Sequence, residues 1–226
     1  LRRLPPPMRR RLLAQGSPRH LPPRRVLMRQ GEAGSSVWVL IDALVKVSAG
    51  VENGTESLLA VRVSGDLIGE MAVLTGAARS ATVTTCGRAV ARQIAGGAFI
   101  DFLRRHPQAA LTLNQMTIER LRWSNQRRLD FAGYEVGRCL ARVLLALAGR
   151  HGRPYGRGVD LGVPLTQAEL GGLVGAKEDT VQKALRALAD RGYIAMPKRS
   201  HFVITDPGGL GEYADLPDEK IRPKPD

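Results

Sequence analysis

The sequence predicts an α+β protein: a β-sandwich first, then one long helix, then a small helical domain closed by two strands. Three observations carry this. Short β-branched runs separated by glycine-bearing turns fill Val26 to Ile94, the apolar period lengthens to that of a helix after Ile94, and two short helices around a glycine follow Thr166.

The runs are VLM, VWVLI, LVKVSA, SLLAVRV, SATVTT and AVARQI, spaced as in an antiparallel sandwich or barrel. In LVKVS and ATVTT alternate residues are apolar, so one strand face meets a core and the other meets water. Asn53-Gly54, inside VENGTE, is the strongest two-residue hairpin signal. Beyond Ile94 no β-branched cluster remains, and Pro107 suits the first turn of a helix that runs to about Leu129. Leu111, Asn114, Ile118, Leu121, Asn125 and Arg128 recur along it at three-four spacing. That seam either pairs with a second copy in a coiled-coil homodimer or packs on its own domain. Gly133 reads as a hinge, and the chain is helical again from Val136 to a stop at Gly149, followed by a glycine- and arginine-rich loop, Arg150 to Gly158. The expected organisation is therefore 1–106 as the β domain, 107–133 as dimerisation helix and hinge, 134–214 as the second domain, and 215–226, rich in proline and charge, as a disordered tail.

Composition narrows the function classes. Lysine and arginine number 34 against 21 aspartate and glutamate in 226 residues, a net charge of +13 that attracts polyanions. Nucleic acid is favoured over a membrane surface, because no basic amphipathic terminus of the membrane-binding sort is present. Two distant cysteines, Cys86 and Cys139, exclude a disulfide framework and suit a reducing cytoplasm. The most apolar run, Leu140 to Ala148, is broken by Arg142 and too short for a bilayer, so the expectation is a soluble protein. His20, His106, His151 and His201 have no metal-ligand spacing.

Two stretches carry chemistry. In the first, GEMAVLTGAARSA, Gly69 lets backbone approach a ligand, and Glu70 to Leu74 form one helical turn whose N-terminal amides face an anion. Arg79 offers a planar cationic fork for phosphate, the Ser80 hydroxyl donates beside it, and Glu70, repelled by phosphate, accepts from a sugar hydroxyl. Such a set fits a cyclic phosphate fused to ribose. The alternative is a structural ion pair between Glu70 and Arg79, with Ser80 capping a strand.

The second stretch opens at Thr166, an N-cap with Glu169 three residues on, a capping box for a helix through Val174. Gly175 ends that helix and another starts near Lys177, the helix-turn-helix pattern. Val181, Ala184, Leu185 and Leu188 fall on one side of the second helix as its anchor. Glu178, Asp179, Gln182, Lys183 and Arg186 fall on the other, where they can enter a major groove. YIAMPKRSHFVIT then reads as two strands around the basic turn Lys198 to Ser200, a wing. The alternative is an ordinary helical subdomain with a solvated charged face.

LTQAELGGLVGAKEDTVQKALRALADRGYI resembles the winged helix-turn-helix of the cyclic AMP receptor protein and FNR (Crp-Fnr) superfamily of transcription regulators. Thr180 and Val181 match the family pattern, Asp179 stands in for its glutamate and Lys183 for its second arginine. Lys177 departs from the usual hydroxyl cap and Glu178 from the first arginine. A carboxylate there accepts from cytosine, while Lys183 donates to guanine and Gln182 to adenine, so the usual operator is not implied. Gly69, Glu70, Arg79 and Ser80 resemble the family's phosphate-binding cassette, with Met71 beside them.

The resemblance implies a jelly-roll sandwich that binds a cyclic nucleotide, cyclic AMP foremost, and a cytoplasmic homodimer that reads double-stranded DNA, with RNA polymerase as a further partner and no catalysis. It places the DNA contacts on Thr166, Gln167, Lys177, Glu178, Asp179, Thr180, Gln182, Lys183, Arg186, Lys198 and Arg199. In the nucleotide-binding branch hydroxyl residues of the long helix hold the base. Ungapped counting puts Trp123 and Ser124 there: Ser124 keeps one hydroxyl, whereas Trp123 stacks on a purine, fills its pocket or lies in the dimer seam. Two cysteines cannot supply the four thiolates of the iron-sulfur branch, and no metal or cofactor is expected. Three rivals remain: the same regulator with another effector or none, a nucleotide-binding subunit that leaves DNA alone, and a cupin-type enzyme, for which Val26 to Ile94 lacks any histidine.

Overall fold

A computed structural model describes residues 3–51 and 54–217. They form two compact units that divide between Trp123 and Ser124, inside the long helix.

The first unit opens with α1 (Pro6–Ala14) and runs β1 (Gly16–Leu21), β2 (Val26–Met28), β3 (Ser36–Asp42), β4 (Leu44–Gly50), β5 (Glu56–Val63), β6 (Leu67–Ile68), α2 (Glu70–Thr75), β7 (Thr82–Thr85), β8 (Ala89–Ala95), α3 (Gly96–Arg105) and α4 (Pro107–Gly133), of which residues up to 123 belong here. The strands make two antiparallel four-stranded sheets, ordered β1-β8-β3-β6 and β2-β7-β4-β5. All six expected strand runs are strands.

The unbroken apolar character of VWVLI now has a cause: β3 is covered on both faces. Val37 and Val39 join a cluster with Leu12 of α1, Phe99 and Phe102 of α3 and Ala109 of α4, while Trp38 and Leu40 join Val45, Val83 and Ala91 between the sheets. In β4 Val45 is buried and Val47 packs partly buried against the same cluster, while Lys46 is not buried. In the β4–β5 turn Gly54 has φ +81°, and its neighbour Asn53 lies outside the described residues.

The second unit takes the rest of α4 and continues with α5 (Val136–His151), β9 (Arg153–Tyr155), β10 (Gly158–Asp160), α6 (Gln167–Val174), α7 (Glu178–Asp190), β11 (Ile194–Lys198), β12 (His201–Ile204) and α8 (Pro207–Tyr213). Leu140, Leu144 and Leu147 of α5 are buried, as are Leu170 and Leu173 of α6 and Val181, Leu185 and Leu188 of α7. The strands form one sheet, β11-β12-β10-β9.

Two expectations need correction. Arg150 to Gly158 is not a loop, because α5 extends to His151 and β9 pairs with β10 in a hairpin that turns at Gly156, φ +58°. The tail is ordered at its head: the Tyr134 hydroxyl donates to the Asp215 carboxylate (3.2 Å) and Leu216 N–H to the Gly211 carbonyl (3.1 Å). Residues 218–226 of that tail lie outside the described residues.

Candidate functional site

The cassette is built by a tight crossing. Strand β6 ends at Gly69, whose φ of +82° starts α2, and a Cβ there would sit 2.6 Å from an Arg79 nitrogen. Gly34 gives the same guanidinium room from the other side, since its Cβ would lie 3.1 Å from Arg79 Cζ and 2.4 Å from the Ala72 Cβ. The Arg79 backbone is fixed by hydrogen bonds to Gly31 and Glu32, and its side chain is buried. Its Nη1 donates to the Gly69 carbonyl (2.8 Å) and Nη2 to the Ser36 carbonyl (2.6 Å). Burial pushes the Arg79 pKa down, and the carboxylates of Glu32 and Glu70 oppose that shift.

Glu70 is buried too, and its partner is not Arg79. Arg120, halfway along α4, donates to Glu70 Oε1 at 2.5 Å and to the Leu67 carbonyl at 2.6 Å, with Asp66 3.8 Å away. The expected alternative, a Glu70–Arg79 ion pair, is therefore replaced by a longer-range one, because Arg79 spends its fork on two carbonyls. A carboxylate accepts through about four lone-pair sites, so Arg120 leaves capacity for a sugar hydroxyl. The Ser80 hydroxyl lies 4.0 Å from the exposed Met71 sulfur, so these two also meet at the cassette.

Trp123 and Ser124 are half-buried and straddle the division between the units. Sequence reasoning passed over Arg120. The signal that could have found it is an arginine four residues before Ser124, hence on one helix face with it.

In the second unit the Thr166 capping box forms as expected: its hydroxyl accepts from Glu169 N–H (3.1 Å) and Glu169 Oε2 accepts from Thr166 N–H (2.8 Å). Gly175 caps α6 at φ +65°, and Lys177 precedes α7 without a side-chain cap. Helix α7 is anchored through Val181, Leu185 and Leu188, with Ala184 half-buried. Lys177, Glu178, Asp179, Thr180, Lys183 and Arg186 are exposed and Gln182 half-exposed. Gln167 is half-buried in the first turn of α6.

The wing forms as β11 and β12, with Arg199 and Ser200 at its tip, Ser200 at φ +64°. Behind it His201 Nε2 meets Asp160 Oδ1 at 2.9 Å. Burial alone would raise the Asp160 pKa; hydrogen bonds from Gly162 N–H and His201 outweigh it and bring it below the usual carboxylate value.

Both halves have matches among known families. Residues 18–106 match the cyclic nucleotide-binding domain and 140–213 the Crp-like helix-turn-helix domain. The CRP-like cAMP-activated global transcriptional regulator of Mycobacterium tuberculosis is 30% identical over 192 residues, which cover 85% of this chain and 86% of that one. The chain belongs to the Crp-Fnr superfamily of transcription regulators.

Another member, the cAMP-activated global transcriptional regulator CRP of Salmonella typhimurium, is 26% identical over 178 residues, 77% of this chain and 83% of that protein. Among solved structures, the c-di-GMP responsive global regulator CLP of Xanthomonas campestris shares the fold with a TM-score of 0.75 at 19% identity, over 88% of this chain and 99% of that one. Membership in Crp-Fnr makes the chain a DNA-binding regulator with a cyclic-nucleotide-binding domain and not an enzyme. It sets aside the cupin and the subunit without DNA binding. The TM-score speaks for the fold alone.

Proposed function

We propose that the protein is a homodimeric regulator in which cyclic AMP, held by Gly69, Glu70, Met71, Arg79 and Ser80, with Trp123 and Ser124 meeting its base across the dimer, sets how well two copies of α7 read duplex DNA. The observation that carries this reading is the Glu70–Arg120 pair. The carboxylate suited to a ribose hydroxyl is tied at 2.5 Å to the long helix, so a ligand on Glu70 acts directly on a residue of α4. Phosphate would draw the Arg79 fork toward itself in exchange for one of its two carbonyls, and Ser80 would add a hydroxyl. Cyclic AMP is favoured over other nucleotides by the names of the Mycobacterium and Salmonella relatives.

The dimer rests on a second observation. Leu111, Ile118, Leu121 and Leu129 are exposed along α4, while Ala109 and Leu113 on another face pack against the sandwich. Four large apolar side chains at seven-, three- and eight-residue steps suit the seam of a second copy. Binding would favour the arrangement that spaces the two α7 helices about one DNA turn (~34 Å) apart. Thr166, Gln167, Lys177, Lys198 and Arg199 would position the domain on phosphates. Glu178, Asp179, Thr180, Gln182, Lys183 and Arg186 would face base edges. Among the described residues no helix is long and apolar enough to cross a membrane; the proposed setting is the cytoplasm, with RNA polymerase as the partner at the promoter.

Calorimetry against cyclic AMP and cyclic GMP, followed by selection of bound sequences from random DNA with and without nucleotide, tests the reading. Arg79→Ala should lose nucleotide binding and the nucleotide-dependent gain in DNA affinity together. Unchanged nucleotide affinity in that variant would overturn the ligand half.

A further inference from the structure

The second unit holds a chain of buried and ring contacts that neither the capping box nor the outer face of α7 uses. It begins at the junction of α4 and α5, where only Tyr134 and Glu135 separate the two helices. Asp130 in the last turn of α4 pairs with Arg142 of α5 at 3.1 Å, with 8% and 11% of their side chains exposed. Gln126 Nε2 donates to the same carboxylate oxygen at 3.0 Å.

Arg142 turns its other end toward the backbone just past α8. Its Nη1 donates to the Ala214 carbonyl (2.7 Å) and the Asp215 carbonyl (3.1 Å). The same guanidinium lies 4.8 Å over the ring of Tyr134, whose hydroxyl donates to the Asp215 carboxylate. Asp215 sits in the left-handed region at φ +53°, a costly conformation for a residue with a side chain, so these bonds hold the turn against its own preference.

Helix α8 carries the contacts on to the far end of the reading helix. Arg191, the C-cap of α7, lies 4.9 Å over the ring of Tyr213 in the last turn of α8, and the Tyr193 ring meets the same ring at 5.8 Å between centroids. The Tyr213 hydroxyl reaches back to the start of α5: a Cβ on Gly137 would lie 2.5 Å from it, so glycine keeps that seat open. All of these groups belong to the second unit, and the turn that accepts from Arg142 lies just past residue 213, where the helix-turn-helix match ends.

We propose that α8 and the turn after it form a bracket that couples the α4–α5 junction to the C-terminal end of α7, with Arg142 as the positioning residue that joins them. The inference rests on the nucleotide-controlled DNA reading proposed above and adds a route for it. A guanidinium suits the task because its planar set of donors serves a carboxylate and two carbonyls at once. A movement of Asp130 must either drag Arg142 off those carbonyls or strand a buried carboxylate, and both are costly. The two ends of the bracket are thereby coupled in energy.

The test uses the full chain, cyclic AMP and a selected binding sequence. Two quantities are read: the ratio of DNA affinity with and without nucleotide, and amide hydrogen exchange along the free protein. Arg142→Gln should lower the ratio about fivefold or more. It should also speed exchange both at residues 130–139 and at residues 187–193, while the amides of α6 keep their wild-type rates. Arg191→Ala, at an exposed position, should lower the same ratio about two- to fivefold. The double variant should lose no more than Arg142→Gln alone, as a single device demands.

Faster exchange confined to residues 130–142 in Arg142→Gln would overturn the bracket, as would additive losses in the double variant. A ratio at its wild-type value in both single variants, with DNA affinity lowered equally with and without nucleotide, would reduce these residues to a structural role and overturn it too. Uniformly faster exchange in Arg142→Gln would mark a damaged fold; Arg191→Ala then decides alone, and an unchanged ratio there overturns the proposal. A wild type whose DNA affinity ignores cyclic AMP would break the nucleotide control beneath it, and the exchange pattern of Arg142→Gln would still decide whether the junction and α7 are coupled.

Discussion

The cassette and the outer face of α7 are the two places where the proposed function needs charged side chains to meet a partner, yet they are built in opposite ways. At the cassette Glu70 and Arg79 are buried, and each already holds protein groups at 2.5–2.8 Å. On α7 the cations and carboxylates are exposed, and the helix is secured only from behind by Val181, Leu185 and Leu188. A small ligand fits such a site by exchanging partners one for one, which suits a switch. A groove read along several base pairs needs a rigid rod with adaptable side chains, which suits recognition.

The contrast breaks most sharply at Arg120. Arg120→Ala leaves the buried Glu70 carboxylate without its cation, and by analogy with other buried pairs the sensor unit should lose about 3–5 kcal/mol in urea unfolding. Arg120→Ala combined with Glu70→Gln should recover part of the loss, and strict additivity in that cycle would refute the pair. Next comes the back of α7: Leu185→Ala should cost about 2–5 kcal/mol in the same measurement, because the side chain is fully buried.

Lys183→Ala sharpens the contrast from the front. Stability should stay within about 0.5 kcal/mol, as for surface changes generally. Affinity for the selected site should fall roughly five- to a hundredfold if the lysine reads a base edge.

The smallest effect concerns His151, whose Nδ1 lies 2.7 Å from the Leu161 carbonyl while its buried Nε2 has no hydrogen-bond partner among the described residues. Burial pushes its pKa below the ordinary 6.5, so above that value folded and unfolded chains both hold it neutral. As pH falls below 6.5 the unfolded chain takes the proton first and stability drops. Thermal midpoints between about pH 7.5 and 5.5 should fall less in His151→Gln than in the wild type. Asp160 acts in a separate window: its depressed pKa contributes stability above 3.8 that is lost only as pH falls through the lower folded value.

The same two regions differ in what the chain makes legible before it folds. The strands of the sandwich read clearly because β-branched residues cluster and alternate there, and α6 and α7 read clearly because Thr166, Glu169 and Gly175 punctuate them. Strand β1, GSPRHL, has an exposed middle and no apolar alternation, so nothing local distinguishes it from a loop; its pairing with β8 makes it a strand. Helix α8, PGGLGEY, hides behind its glycines and is set by Asp206, whose carboxylate accepts from Gly209 N–H. In the cassette Gly69, Glu70, Arg79 and Ser80 could be picked from spacing, whereas Arg120 could not. Its role depends on a carboxylate 50 residues earlier, and only tertiary packing brings the two together.

Gly175, the cap between α6 and α7, lies under the Phe131 ring of α4: a Cβ on that glycine would come within 3.3–3.5 Å of three ring carbons. The last turn of the long helix thus works like a pawl resting on the tooth between the two reading helices. Because a helix turns about 100° per residue, a twist of α4 by even one position would carry the ring off the glycine. A fluorine placed on Phe131 would report directly, as a change in its resonance, whether adding cyclic AMP moves the ring off the glycine.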